Sequence, residues 1–157
     1  MGVSGSGKTT VGTELASRLG VPFHDADDFH LPESVEKMRS GTPLTDADRA
    51  PWLRRLAQLI DELEEGGVLA CSALKKEYRE VLNAASQTVR WVYPAGDKEE
   101  ISARLAGRQG HYMNPDLLDS QFETLEIPDN ALHVRINRSV AEIVDEIVGM
   151  LALPKGE

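Results

Sequence analysis

Two hydrophobic periods alternate along this chain. From Thr9 to Leu19 the apolar residues Val11, Leu15, Ala16 and Leu19 fall on one helical face, and Gly20 supplies a stop. Val21 to His24 then reads as a short strand running into the acidic cluster Asp25-Ala26-Asp27-Asp28. A polar region punctuated by Pro and Gly extends to Pro43. Beyond it, Trp52, Leu53, Leu56, Ile60 and Leu63 line a second helical stripe, with Pro51 tolerable near its first turn and Gly66-Gly67 ending the pattern. Val68 to Cys71 is a second strand, followed by a helix on which Tyr78, Val81 and Leu82 share a face. Val89 to Tyr93 repeats the strand signal, and Asp97 with Glu100 forms a capping-box pattern before Ile101 and Leu105. After an interruption at Arg108 to Tyr112, Pro115 restarts a helix through Phe122. Leu132 to Ile136 is a last strand, and Ser139 with Glu142 caps a final helix carrying Ile143, Ile147 and Leu151. Strands alternating with helices predict an α/β fold, a mostly parallel sheet covered on both faces in three layers. No repeat, low-complexity tract or linker divides the chain, so residues 1–157 are expected to form one domain.

Composition narrows the partners. A chain of 157 residues with 41% hydrophobic residues can bury one sizeable core and not two. A formal net charge of -9 argues against nucleic acid, which calls for a dense basic face, and points to small molecules. The single cysteine, Cys71, permits no internal disulfide and fits a reducing cytosol. With no apolar run of about 18 residues to span a membrane and no signal-peptide pattern at the start, a cytoplasmic protein is expected.

The chemistry starts at Gly2-Val3-Ser4-Gly5-Ser6-Gly7-Lys8-Thr9, which satisfies the phosphate-loop pattern GxxxxGK followed by Ser or Thr. Its glycines let backbone N–H groups curl around phosphate oxygens, Lys8 can reach the β- and γ-phosphates, and the Thr9 hydroxyl can ligate Mg²⁺. The helix that follows points its positive end at the same phosphates, with Thr10 in its first turn. The bland alternative is a Gly/Ser turn before an ordinary helix, but the helical pattern begins where the motif requires. A phosphate loop normally leaves the end of a buried strand. Here only Met1 precedes Gly2, so the expectation is a shortened start that lacks the first strand, with Met1 as that strand's last residue.

Beyond the loop, the chain resembles the gluconokinase family. The resemblance rests on Asp25-Ala26-Asp27-Asp28-Phe29-His30, on Lys37-Met38, and on the long block from Gly41 through Arg49 to Pro51-Trp52-Leu53. Ala70 to Arg79, Arg108-Gln109-Gly110-His111-Tyr112 and Ser120 to Glu126 continue it in the family's order. It departs from the family at Leu31 and Ser34, where Pro and Asn are usual, and around Asn137; Ser34 is the departure expected to touch substrate affinity. The resemblance implies a P-loop kinase fold related to shikimate kinase, ATP and Mg²⁺ as cofactors, D-gluconate as substrate phosphorylated at its 6-hydroxyl, and a homodimer. The alternatives are another small-molecule kinase of this fold, or a nucleotide-binding protein without catalysis.

Phosphoryl transfer needs metal ligands, cations for the γ-phosphate and a carboxylate near the attacking hydroxyl. Asp27 is the candidate for that carboxylate and Asp25, with Thr9, for the metal; as a bland alternative, the acidic run caps a helix. Arg49 and Lys75 are candidates for the substrate carboxylate, although isolated basic residues are usually surface charges. His30 could bond a sugar hydroxyl or simply pack beside Phe29. Ser72, at a strand's C-terminal end, is well placed for a ligand. Lys37, His111 and Gln121 complete the substrate set, Gln121 as a support of substrate or lid. Arg104 and Arg108, four apart, share a helical face aimed at ATP phosphates, in a lid around 104–115 with Gly107 and Gly110 as hinges. Cys71 reads as buried filler, and Trp52 and Leu56 as packing.

Overall fold

The computed structural model describes residues 1–107 and 115–152. Helix α1, Lys8–Leu19, starts directly from the loop through Gly7 at φ 92 and ends at Gly20 at φ 68, left-handed conformations that glycine adopts without a Cβ penalty. Strand β1, Phe23–Asp25, runs into a single 3₁₀ turn over Ala26–Phe29, whose Asp27 N–H is capped by the Asp25 carboxylate. Helix α2, Pro32–Arg39, begins with proline in its first turn, where a missing N–H costs nothing. The 3₁₀ turn occupies the acidic cluster, and helix α2 lies where the sequence pattern showed only an irregular polar region. Helix α3 spans Asp46–Glu62 and begins in a capping box between Thr45 and Asp48. It therefore starts six residues before Trp52, and Pro51 lies inside it rather than near its first turn.

Strand β2 is Val68–Ala70 and helix α4 is Lys76–Asn83. On α4, Tyr78 and Leu82 are buried as expected, but Val81 is exposed. Strand β3 is Val92–Ala95, displaced toward the C-terminus from the expected Val89 start, and helix α5 is Lys98–Ala106, opened by the Asp97–Glu100 capping box. Helix α6 is Pro115–Thr124, strand β4 is Leu132–Arg135, and helix α7, Val140–Met150, follows the Ser139–Glu142 box.

All pairing among these strands is parallel. Strand β1 pairs with β2, Phe23 opposite Val68, and β3 pairs with β4, Val92 opposite Leu132. Helices α1 and α7 pack through Val11, Leu15, Ile143, Val144 and Ile147 against Val134 of β4. Another cluster joins Trp52, Leu53 and Leu56 of α3 to Tyr78 and Leu82 of α4 and to Tyr93 of β3. The expected helix–sheet–helix layering follows. Each fully buried Leu or Ile in these layers stabilises by about 1.5–3 kcal/mol relative to exposure. The sheet is in two halves, however, and a cavity of about 420 Å³ separates β2 from β3. Met1 and Gly2 lie at one end of it. The Met1 amine donates to the Val92 carbonyl at 2.7 Å, and the Gly2 N–H donates to the Ser72 carbonyl at 3.0 Å.

Candidate active site

The phosphate loop is held from three sides. Val3 buries its side chain with Ile101, Leu118 and Ile136, so its backbone alone faces the loop, and its carbonyl accepts from Lys8 Nζ at 2.8 Å. Ser6 is buried as well: its hydroxyl lies beneath the loop toward Gly2 with no hydrogen-bond partner, and its N–H donates to the Val3 carbonyl at 3.4 Å. Gly5, at φ 79, sits so close to Leu105 of α5 that a Cβ would fall 2.7 Å from that side chain. Burial pushes the Lys8 ammonium below its usual range, offset by the nearby Asp27 carboxylate. Thr10 follows on the exposed side of α1.

Gln121 of α6 closes the third side. Its Oε1 accepts the Ser4 N–H at 2.7 Å and its Nε2 donates to the Ser4 hydroxyl at 3.1 Å. Gln121, expected among the substrate contacts, thus has both polar atoms bonded to the phosphate loop. Arg104 of α5 donates to the Ile136 carbonyl, and its Nη1 comes within 3.7 Å of the point a Gly7 Cβ would occupy. It thus lies beside the phosphate loop. Arg108, His111 and most of the expected lid fall outside the described residues.

The acidic group lies at the C-terminal end of β1, where open α/β sheets bind ligands. The Thr9 hydroxyl donates to Asp25 Oδ2 at 3.2 Å, while Asp25 Oδ1 accepts the Asp27 N–H at 3.0 Å. Two hard oxygen donors are thus adjacent, a set suited to Mg²⁺, which takes few protein ligands and completes its shell with phosphates and water. The Asp27 carboxyl is raised above the usual carboxylate range, first by the protein mass around it and then by Asp25. Its side chain remains 83% exposed, so solvent screening keeps the energetic cost small.

His30 Nε2 lies 3.8 Å from Asp27 Oδ1, and the His30 ring stacks on Trp52 at 4.5 Å with 10° between planes. Burial lowers its pKa, which favours the neutral ring, and Nδ1 has no partner. The Trp52 Nε1–H donates to the Ala26 carbonyl at 2.7 Å. Trp52 thereby fixes the turn that carries Asp27 besides packing the core, a role that the apolar stripe of α3 could not reveal.

Lys37, Arg49 and Lys75, the remaining candidate cations among the described residues, are each bonded within the protein. Both Asp46 oxygens accept from Lys75 Nζ, at 2.8 and 2.9 Å, and Asp46 also accepts from the Tyr78 hydroxyl. Arg49 donates to the Leu44 carbonyl at 2.6 Å with its guanidinium 5.9 Å from the Tyr78 ring centroid, and Lys37 donates to Asp48 at 2.7 Å. Ser72 follows β2 and leads into Ala73, buried at φ 42, a conformation that costs a non-glycine residue energy. Arg79, 6% exposed, donates to the Ala73 and Leu74 carbonyls at 2.9 and 3.1 Å and so braces this turn. Its charge alone would have placed it on the surface. Ser34 is buried on α2, and Cys71 is buried with its thiol pushed up to about 12 by that burial, as inert filler should be.

Comparison with known proteins adds to this geometry. The family model described as shikimate kinase matches residues 4–151. A probable gluconokinase of Dictyostelium discoideum is 44% identical, covering 96% of this chain and 84% of its own. A gluconokinase of Gluconobacter oxydans is 50% identical over 82% of this chain and 74% of its own. The crystal structure of a gluconokinase from Sinorhizobium meliloti superposes with a TM-score of 0.90 at 40% identity, covering 97% of this chain and 89% of that one.

Proposed function

The chain belongs to the gluconokinase family, and from that premise we propose that it transfers the γ-phosphoryl group of ATP to the 6-hydroxyl of D-gluconate, releasing ADP. The observation that supports this reading best is the convergence of Lys8, Thr9, Asp25 and Asp27 at one strand end. A cation, two candidate metal ligands and an open carboxylate beside one phosphate loop are the groups that phosphoryl transfer calls for.

The N–H groups of Gly5, Gly7, Lys8 and Thr9, at the loop and the start of α1, cradle the phosphates. Lys8, now turned to the Val3 carbonyl, swings to the transferring group, joined by Arg104. Thr9 and Asp25 would hold Mg²⁺, which when bound neutralises charge on the β- and γ-phosphates. Asp27 accepts the proton of the 6-hydroxyl as its oxygen bonds to the γ-phosphorus and the bond to the bridging oxygen of ADP breaks. Neutral His30 orients a substrate hydroxyl, with Ser72 opposite. Lys75 and Arg49 take the gluconate carboxylate, Lys75 exchanging its bonds to Asp46 for it. The 157 residues act as one domain of a cytoplasmic homodimer.

Gluconate-dependent ADP release by the folded chain with Mg²⁺-ATP tests the proposal. Release that depends on shikimate instead of gluconate, or ATP binding with no acceptor-dependent release, would overturn it.

A further inference from the structure

Helix α4 opens on a residue that cannot cap it. An N-cap side chain supplies an oxygen to the free N–H groups of the first turn, as Thr45, Asp97 and Ser139 do for α3, α5 and α7. At α4 the N-cap position holds Lys75, whose ammonium has only donors and makes no capping bond. Its charge also sits at the helix end that is already positive. The oxygen comes instead from 50 positions along the chain, where Glu126 Oε2 accepts the Lys76 N–H, the first of the helix. The Glu126 N–H in turn donates to the Leu74 carbonyl at 2.9 Å, which Arg79 also reaches at 3.1 Å. Burial lowers the Arg79 pKa, and Glu126 leads the carboxylates that oppose the shift. One glutamate therefore bonds the backbone on both sides of Lys75. It lies just beyond α6, the helix whose Gln121 holds Ser4, so a single segment reaches both the phosphate loop and the turn before α4.

We propose that Glu126 is a positioning residue for the phosphoryl acceptor: it holds the backbone from Leu74 to Lys76, which lets position 75 carry a lysine and aims that lysine at the gluconate carboxylate. The inference rests on the reading of Lys75 as a gluconate contact. Glu126 acts through Lys75 and not on the substrate. The lysine stem is long and flexible, so only a fixed backbone confines its ammonium to one region. A first turn free to fray would spread the ammonium over many positions, and gluconate would meet the competent one less often.

Glu126 is exposed, so truncating it leaves the core intact. In Glu126→Ala the Lys76 amide is expected to exchange hydrogen at least about 10-fold faster. The KM for gluconate should rise about 3- to 30-fold, the range that a lost cap gives, while the KM for ATP stays within about twofold. Glu126→Gln keeps an acceptor oxygen and should bring both the exchange rate and the gluconate KM back to within about threefold of the unsubstituted chain. General destabilisation would not single out the gluconate KM or be rescued by Gln. Unchanged Lys76 exchange, an unchanged gluconate KM, a rise in both KM values together, or a Glu126→Gln chain as impaired as Glu126→Ala would each overturn the proposal. Absence of gluconate-dependent ADP release from the unsubstituted chain is instead a failure of the kinase reading, and Lys76 exchange tests the cap without turnover.

Discussion

Replacing Gln121 with alanine removes both bonds that tie α6 to the phosphate loop, the 2.7 Å bond from the Ser4 N–H and the 3.1 Å bond to its hydroxyl. Each is worth a net of about 0.5–1.5 kcal/mol, and together they hold the loop in one conformation with about 1–3 kcal/mol, a factor of roughly 5–150 in its ordered population. Nucleotide must pay that ordering cost in the variant. The KM for ATP, and the dissociation constant measured by calorimetry, are expected to rise about tenfold or more, while the KM for gluconate at saturating ATP stays within about twofold. Gln121→Glu keeps the acceptor but loses the donor and adds a negative charge beside the phosphate site, and should be the worse of the two. A rise in the KM for gluconate with ATP affinity intact would refute the reasoning and return Gln121 to the substrate.

Lys8→Ala is expected to abolish gluconate-dependent ADP release in a protein that still unfolds cooperatively. Asp27→Asn should lower kcat by about 10²–10⁴ with little change in gluconate binding, and near-normal turnover would sink its role as base. Because the Asp27 pKa is raised in the folded state, turnover should fall on the acid side at a higher pH than an ordinary carboxylate would give. The same shift means that stability held below the unfolded carboxylate's pKa is lost as pH rises through the folded one, so Asp27→Asn should slightly raise Tm near neutrality and not at acid pH. Asp46→Asn frees Lys75, and since an exposed pair holds its partners only weakly, the KM for gluconate should fall by up to about 5-fold; a rise would show that Asp46 positions Lys75 instead. Trp52→Phe leaves the Ala26 carbonyl unpaired, which should cost about 1–3 kcal/mol in urea unfolding and reduce kcat through the Asp27 turn.

The phosphate loop, both capping boxes read at Asp97 and Ser139, and the strand ending at the Asp25–Asp27 cluster were all legible in the sequence. Each depends on residues within about eight positions of one another, where side-chain pattern and backbone conformation are directly coupled. The same local signal at Thr45 and Asp48 was masked by the polar stretch around it, and α3 was read as starting too late. Composition and motif order sufficed for the family resemblance. What sequence could not decide is which groups satisfy one another after the chain closes. Ser4 meets Gln121 across 117 positions, Lys75 meets Asp46 across 29, and Trp52 meets Ala26 across 26. No period or spacing encodes such pairs, because they form only when packed helices and strand ends bring distant hydrogen-bonding groups within about 3 Å and burial makes leaving them unpaired costly.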